Sequence, residues 1–256
     1  MAEENEKTYS AAKYRTPDGA PADIVIFTIT SEQRPSMTKS LPKRELKVLL
    51  IKRKVWPHAG MWALPGGFSR ETESVYETAR RELQEETGVK DVHMEYFNVY
   101  SRPGRDPRGW MISHAFFALV NEEALGKLEA ADDAEEAGLF SVEEALGGME
   151  LAFDHREILQ DALARVKEKM LVTPIAGEFL PGEFTLGELY QVIRTVVPDF
   201  EEANFIRKMK QTQSRSGVLE EVRTEQGALK KSNRYSQRAA QLYRFSGDVP
   251  RLSLYS

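Results

Sequence analysis

Three glutamates, Glu82, Glu85 and Glu86, stand at positions i, i+3 and i+4 between two glycines, Gly67 and Gly88. On a helix that spacing brings the three carboxylates to one side. Like charges so placed repel one another and weaken an isolated helix. A bound cation removes that cost, and a hard ion such as magnesium is held through oxygen. The set is therefore a candidate site for a divalent cation. The plain alternative is a solvated acidic helix face.

The elements that must position these groups read mostly as strands. Asp23–Thr30 and Leu46–Lys54 are β-rich runs separated by a polar loop, Ser31–Lys43. Met61–Leu64 leads into the turn Pro65-Gly66-Gly67, which delivers the chain to a helix over Ser74–Thr87 capped by Ser74 or Thr72. Gly67 and Gly88 suit the turns at its two ends. Val92–Tyr100 and Trp110–Val120 form a strand pair around the loop Ser101–Gly109. A short strand at Leu139–Phe140, a short helix at Val142–Leu146 capped by Ser141, and a helix from Asp154 to Met170 complete residues 23–170. Residues 1–22 are read as an N-terminal extension and Leu171–Gly182, with two prolines and two glycines, as a linker.

The remainder, 183–256, has a different charge. The chain of 256 residues carries −5 overall, but residues 1–181 carry −8 and residues 182–256 carry +3. Within 203–244 the balance reaches +7. An acidic front joined to a basic back indicates two domains with different partners. Phe184–Val197 reads as a helix stopped by Pro198, and Glu201–Gln213 as a second helix that presents Asn204, Arg207, Lys208 and Lys210. Two β-like runs, Val218–Thr224 and Ala239–Phe245, enclose a basic loop with Lys230, Lys231, Arg234 and Arg238. Helix, turn, helix and basic hairpin make a winged helix, its second helix for the major groove and its hairpin for phosphates. A packing or dimerisation module is the alternative.

With no cysteine there is no disulfide framework or thiolate metal site, and His58, His93, His114 and His155 have no metal-ligand spacing. No apolar run approaches the roughly 18 residues of a membrane span, and the acidic, polar start MAEENEKTYS is unlike a signal peptide. The expected compartment is the cytoplasm.

Residues 67–89 match the Nudix box, G-x5-E-x7-R-E-U-x-E-E-x-G-U with U bulky and apolar, without departure: Gly67, Glu73, Arg81-Glu82-Leu83, Glu85-Glu86, Gly88-Val89. Seven fixed positions at roughly one residue in fifteen make a chance match about one in 10^8 per start. By this resemblance Glu82, Glu85 and Glu86, with the Gly67 carbonyl, are ligands for Mg2+ or Mn2+, and Arg81 and Glu73 form an ion pair orienting loop and helix. The implied fold is an α-β-α arrangement with a mixed sheet. The segments DIVIFTI, ALPGGF, RDPRG, LAFDHREIL, FTLGELYQVIRTV, NFIRKMK and LYRF also resemble the Nudix-related transcriptional regulators. In that family an ADP-ribose-type Nudix domain senses a ligand for a winged helix. Many of its members have an eroded box, whereas this one is intact.

The resemblance implies a dimer that binds duplex operator DNA and hydrolyses ADP-ribose or a related nucleoside diphosphate derivative. A plain pyrophosphohydrolase with a dimerisation module and a non-catalytic sugar or nucleotide sensor are the competing readings. For the diphosphate the candidate residues are Arg102, Arg105 and Arg108, whose guanidinium forks suit phosphate oxygens, and Arg53 in the strand before the box. Pro103 lies 14 residues past Val89, a spacing similar to that of ADP-ribose pyrophosphatases. Trp62 and Phe68 are candidates for stacking on a base, with ordinary packing as the alternative. Asp154 is read as a helix cap rather than half of a catalytic pair with His155. A general base outside the box would be sought among Asp132, Asp133, Glu135 and Glu136.

Overall fold

Alternation along the central strand separates two cores. The computed structural model describes residues 16–32, 40–90, 92–125, 134–201, 205, 207, 209, 218–235 and 238–246. Strand β1 (Pro21–Ser31) is buried along nearly its whole length. Val25, Phe27 and Ile29 point to one face, and Ala22, Ile24 and Ile26 to the other, as a two-residue period requires. Burial on both faces is why the run reads as continuously apolar.

Around β1 lie β2 (Arg44–Arg53), β3 (Trp62–Ala63), β4 (Gly66–Phe68), β5 (His93–Tyr100), β6 (Ser113–Leu119) and β7 (Ala134–Ser141). The order is β3-β2-β1-β6-β5, with β4 added to β1 and β7 to β2. β1 and β6 are parallel while β1–β2, β2–β7 and β5–β6 are antiparallel, so the sheet is mixed. Helix α1 (Val75–Thr87) covers the Ile24 face through Ala79 and Leu83. Helices α2 (Val142–Gly147) and α3 (His155–Val172) cover the other, with Ile158, Leu159, Ala162, Val166 and Met170 fully buried.

Four differences from the sequence reading have physical causes. The strand expected at Leu139–Phe140 begins at Ala134, because Glu136 pairs opposite Lys52 of β2 and its carboxylate meets that ammonium at 3.9 Å. Glu136 is therefore a strand residue rather than part of an acidic loop. Asp132, Asp133 and the Glu135 side chain lie outside the described residues. Asp154 occupies the position before α3 but makes no side-chain cap bond; its carboxylate goes to Arg105.

The third difference is the segment 171–182, which is packed rather than an open tether. Thr173 caps a 3-10 helix, Pro174–Phe179, by accepting the Ile175 amide. Ile175, Ala176, Phe179 and Leu180 are buried in the same cluster as Val25 and Phe27. That cluster runs on through β8 (Phe184–Thr185) and α4 (Leu186–Val196). Phe184 is thus a strand residue facing Tyr243, not the first turn of a helix. Helix α4 begins at Leu186 because Thr185 and Glu188 form a capping box. Gln191 on α4 donates to the Pro42 carbonyl before β2.

The small second sheet is completed by β9 (Leu219–Glu221), β10 (Lys231–Ser232) and β11 (Ala240–Phe245). Phe205, Arg207 and Met209 are helical, with Phe205 and Met209 buried and Arg207 exposed. Asn204, Lys208 and Lys210 lie outside the described residues.

Candidate active site

The helix that carries the acidic trio is fixed at both ends. Ser74 accepts the Glu77 amide and Glu77 returns a bond to the Ser74 amide. Gly88 closes the helix at φ 70°, a left-handed conformation that favours glycine. The Arg81 guanidinium grips Glu73 at 2.7 and 3.0 Å, Glu82 at 2.5 Å and Glu85 at 3.1 Å, and donates to the Phe68 carbonyl at 3.2 Å. These hydrogen bonds hold the Glu73 carboxyl down at about 2 and raise Arg81 above its ordinary range. The loop before α1 is clasped to the helix, as the resemblance implies.

The trio itself is graded rather than level. Glu86 follows Ala79 and Leu83 at i+7 and i+3, so it shares their inward face and is only 3% exposed. Glu85 points outward, its side chain 51% exposed. Glu82 lies against Gly67, where an added Cβ would fall 2.1 Å from the Glu82 Oε1. A side chain at 67 would displace the Glu82 carboxylate. The Gly66 amide donates to the Glu86 Oε1 at 3.4 Å. Among the described residues no three acidic or histidine side chains converge on one point. Even so, Glu82 and Glu86 both abut the Gly66–Gly67 turn, and an all-oxygen set of this kind fits a hard divalent cation. Of the acidic trio, Glu82 and Glu86 are the two brought against this turn, while Glu85 points outward and pairs with Arg81.

Next to the turn opens a cleft of about 210 Å3, lined among others by Asp23, Arg53, Phe68, Arg105, Arg108 and Phe153. Its wall alternates cations and rings. Arg53 lies 5.0 Å from the Phe153 ring, and Arg108 lies 5.4 Å from Phe153 and 4.9 Å from Phe68. Both guanidinium groups are fixed by protein acceptors as well as by the rings: Arg53 donates its Nε–H to the Pro57 carbonyl at 2.8 Å, and Arg108 donates from Nε and Nη2 to Asp106. Arg108 is steadied by Asp106, at 2.6 Å; burial would raise the Asp106 carboxyl, but the Arg108 hydrogen bonds outweigh it and hold it low. At the rim Trp56 is 68% exposed and Phe68 41% exposed.

The floor is a buried polar network. Arg105, expected to face phosphate, instead binds Asp154 at 2.6 and 2.9 Å and Asp23 at 3.4 Å. Its side chain is 4% exposed, and a buried cation must be paired. Arg102 is not at the cleft; it extends into solvent and pairs with Glu157. Asp23 also accepts from Ser113. The His155 Nδ1 accepts the Leu64 amide at 2.8 Å, and its Nε2 lies 3.7 Å from the Asp23 Oδ1. Because Nδ1 accepts that amide, the ring carries its proton on Nε2; burial lowers its pKa.

Of the residues singled out from the sequence, Gly67, Arg53, Arg105 and Arg108 line the cleft, Glu82 and Glu86 abut its turn, and Glu73 and Arg81 clasp the loop behind it. Sequence reasoning overlooked Asp23, Asp106, Phe153 and Trp56, and set His155 aside. One signal was present: an aspartate opening the apolar run DIVIFTI is a charge entering a core, which needs a partner. Trp62 packs edge-on against Phe140 at 4.6 Å, not in the cleft.

In the second domain several cations are already neutralised. Lys230 pairs with Glu183 at 2.6 Å and Arg244 with Glu220 at 2.7 Å. Lys231, Arg234 and Arg238 are exposed on or beside the hairpin, and Arg207 on the helical segment. Arg234 lies 5.1 Å from the Tyr235 ring.

Family models match this chain as a NUDIX domain over residues 40–162 and an NrtR DNA-binding winged helix domain over residues 176–245. The ADPR responsive transcriptional repressor NtrR of Acinetobacter baylyi is 34% identical over 210 residues, 81% of this chain and 78% of the relative. An ADP-ribose pyrophosphatase of Methanocaldococcus jannaschii is 44% identical over 119 residues, 46% of this chain and 67% of that one. Shewanella oneidensis NrtR in complex with a 27mer DNA superposes with a TM-score of 0.68 at 28% identity, covering 91% of this chain and 96% of that one. Its isolated NUDIX domain with ADP ribose superposes at 0.52 and 29% identity, covering 65% and 99%.

Proposed function

This chain belongs to the Nudix-related transcriptional regulators of the NrtR type, and we propose that it binds ADP-ribose or a related nucleoside diphosphate derivative and couples that event to operator binding as a homodimer. We further propose that it hydrolyses the ligand with Mg2+ or Mn2+. The observation that carries this reading is the meeting, in one cleft, of the Gly66–Gly67 turn flanked by Glu82 and Glu86 with the Arg53–Phe153–Arg108–Phe68 ladder. Guanidinium edges along the ladder suit diphosphate oxygens. Exposed rings at the rim suit a base or ribose.

A divalent cation bound by the carboxylates neutralises phosphate charge and acidifies the attacking water. The chain's own part is positional. Arg81 and Glu73 hold the loop to α1, Gly67 leaves room for Glu82, and Arg53 and Arg108 orient the diphosphate. The intact box favours turnover over sensing alone, as does the likeness to a pyrophosphatase.

The test is AMP release from ADP-ribose with and without Mg2+, on the intact protein and on Glu86→Gln. Metal-dependent cleavage that falls by roughly 100-fold or more in the variant, with its fold retained, is the expected result. Tight binding without cleavage would remove the hydrolase half and leave the sensor. Absence of salt-sensitive binding to a promoter fragment would leave the pyrophosphohydrolase reading.

A further inference from the structure

Four consecutive residues, Leu64 to Gly67, cross the cleft from α3 to α1, and each is held differently. The Leu64 amide donates to the His155 Nδ1 at 2.8 Å, within buried surroundings. The Pro65 carbonyl accepts the Ile24 amide of β1 at 2.8 Å. The Gly66 amide reaches the Glu86 Oε1, and Gly67 lies against Glu82. One end of this short run is thus bonded to His155, and the other, paired with β1, is bonded to Glu86 and abuts Glu82.

The ring is itself locked. Its Nε2–H faces Asp23, which is held in turn by Ser113 and Arg105. Phe153 lies 5.2 Å away, centroid to centroid. A buried histidine of fixed tautomer, accepting a main-chain amide from 91 residues away, makes a rigid stop for that main chain.

We propose that His155 is a positioning residue for the cation site: by accepting the Leu64 amide it sets the Leu64–Gly67 run, and so the placement of Glu82 and Glu86 around Gly67. It lines the floor of the cleft and acts through that main-chain amide rather than as a cation ligand. The inference rests on the proposed divalent-cation reading and assigns a distant helix terminus to it.

Two polar variants separate this role from general loss of structure. The Asn Oδ1 sits, like the histidine Nδ1, on Cγ and can accept the Leu64 amide. The Gln Oε1 lies one bond further out, where Nε2 was, and cannot. Mn2+ affinity is read directly by electron paramagnetic resonance on the full chain without nucleotide, alongside thermal melts. His155→Asn should bind Mn2+ within about 3-fold of the unaltered chain, and His155→Gln about 10-fold more weakly, the scale of partners that orient metal ligands. Equal affinity in the two variants, whether retained or reduced, would overturn the positioning role while leaving the cation site standing. Failure of the unaltered chain to bind Mn2+ would overturn the cation site and this role with it.

Discussion

At the scale of single residues, the Glu73–Arg81 clasp joins the loop to α1 through two hydrogen bonds. Its hydrogen bonds lower the Glu73 carboxyl from 4.5 to about 2. A carboxyl depressed on folding adds stability above its unfolded value and loses it as pH falls through the folded one. The contribution is therefore complete above about pH 4.5 and gone below about pH 2. Thermal melts of the unaltered chain and Glu73→Gln should differ by a constant margin from pH 5 to 7. That margin should then narrow steadily toward pH 2.5. A margin indifferent to acid would mean that the clasp does not hold the loop. The clasp was legible in the sequence, since both residues belong to the box. The partners of Arg105 were not, because Asp23 and Asp154 lie 82 and 49 residues away and spacing carries no information about such pairs.

At the scale of elements, starts and stops are set by local chemistry and are easily read. Ser74 and Glu77 begin α1, Thr185 and Glu188 begin α4, and Gly88 ends α1. Ser74→Ala removes the acceptor for the Glu77 amide and should cost about 1 kcal/mol in denaturant unfolding. A loss below about 0.3 kcal/mol would show the helix to be held by packing alone. Rotation of α1 is a different matter. The spacing of Glu82, Glu85 and Glu86 puts them on one side, but contact of Ala79 and Leu83 with the sheet decides which of them is buried. That is why Glu86 is enclosed and Glu85 is wet. The length of β7 likewise depended on β2, because Lys52 supplies the partner that an acidic strand start requires.

At the scale of the whole molecule, the two matched regions share a core. Ile175 and Phe179 from the 3-10 helix join Leu189 and Ile193 of α4 to the β-sheet cluster. Unfolding by heat should accordingly be a single transition by calorimetry, with no separate melting of the winged helix. Two resolved peaks would refute the shared core. DNA binding should depend steeply on salt through the exposed cations. Arg234→Ala should weaken it for all sequences and lower the slope of log K against log salt by about 0.9, with hydrolysis unchanged. An unaltered slope would take the hairpin out of the interface. By itself the sequence determined the chemistry at the box, the strand and helix types, the acidic-to-basic division and the family, because these rest on residue type and short spacing. Tertiary structure alone decided which arginines face the cleft and which are buried in ion pairs. It also set His155 behind the Leu64–Gly67 turn and packed 171–182 into the core. Those outcomes follow from desolvation and packing between residues far apart in the chain, and only the folded molecule brings them together.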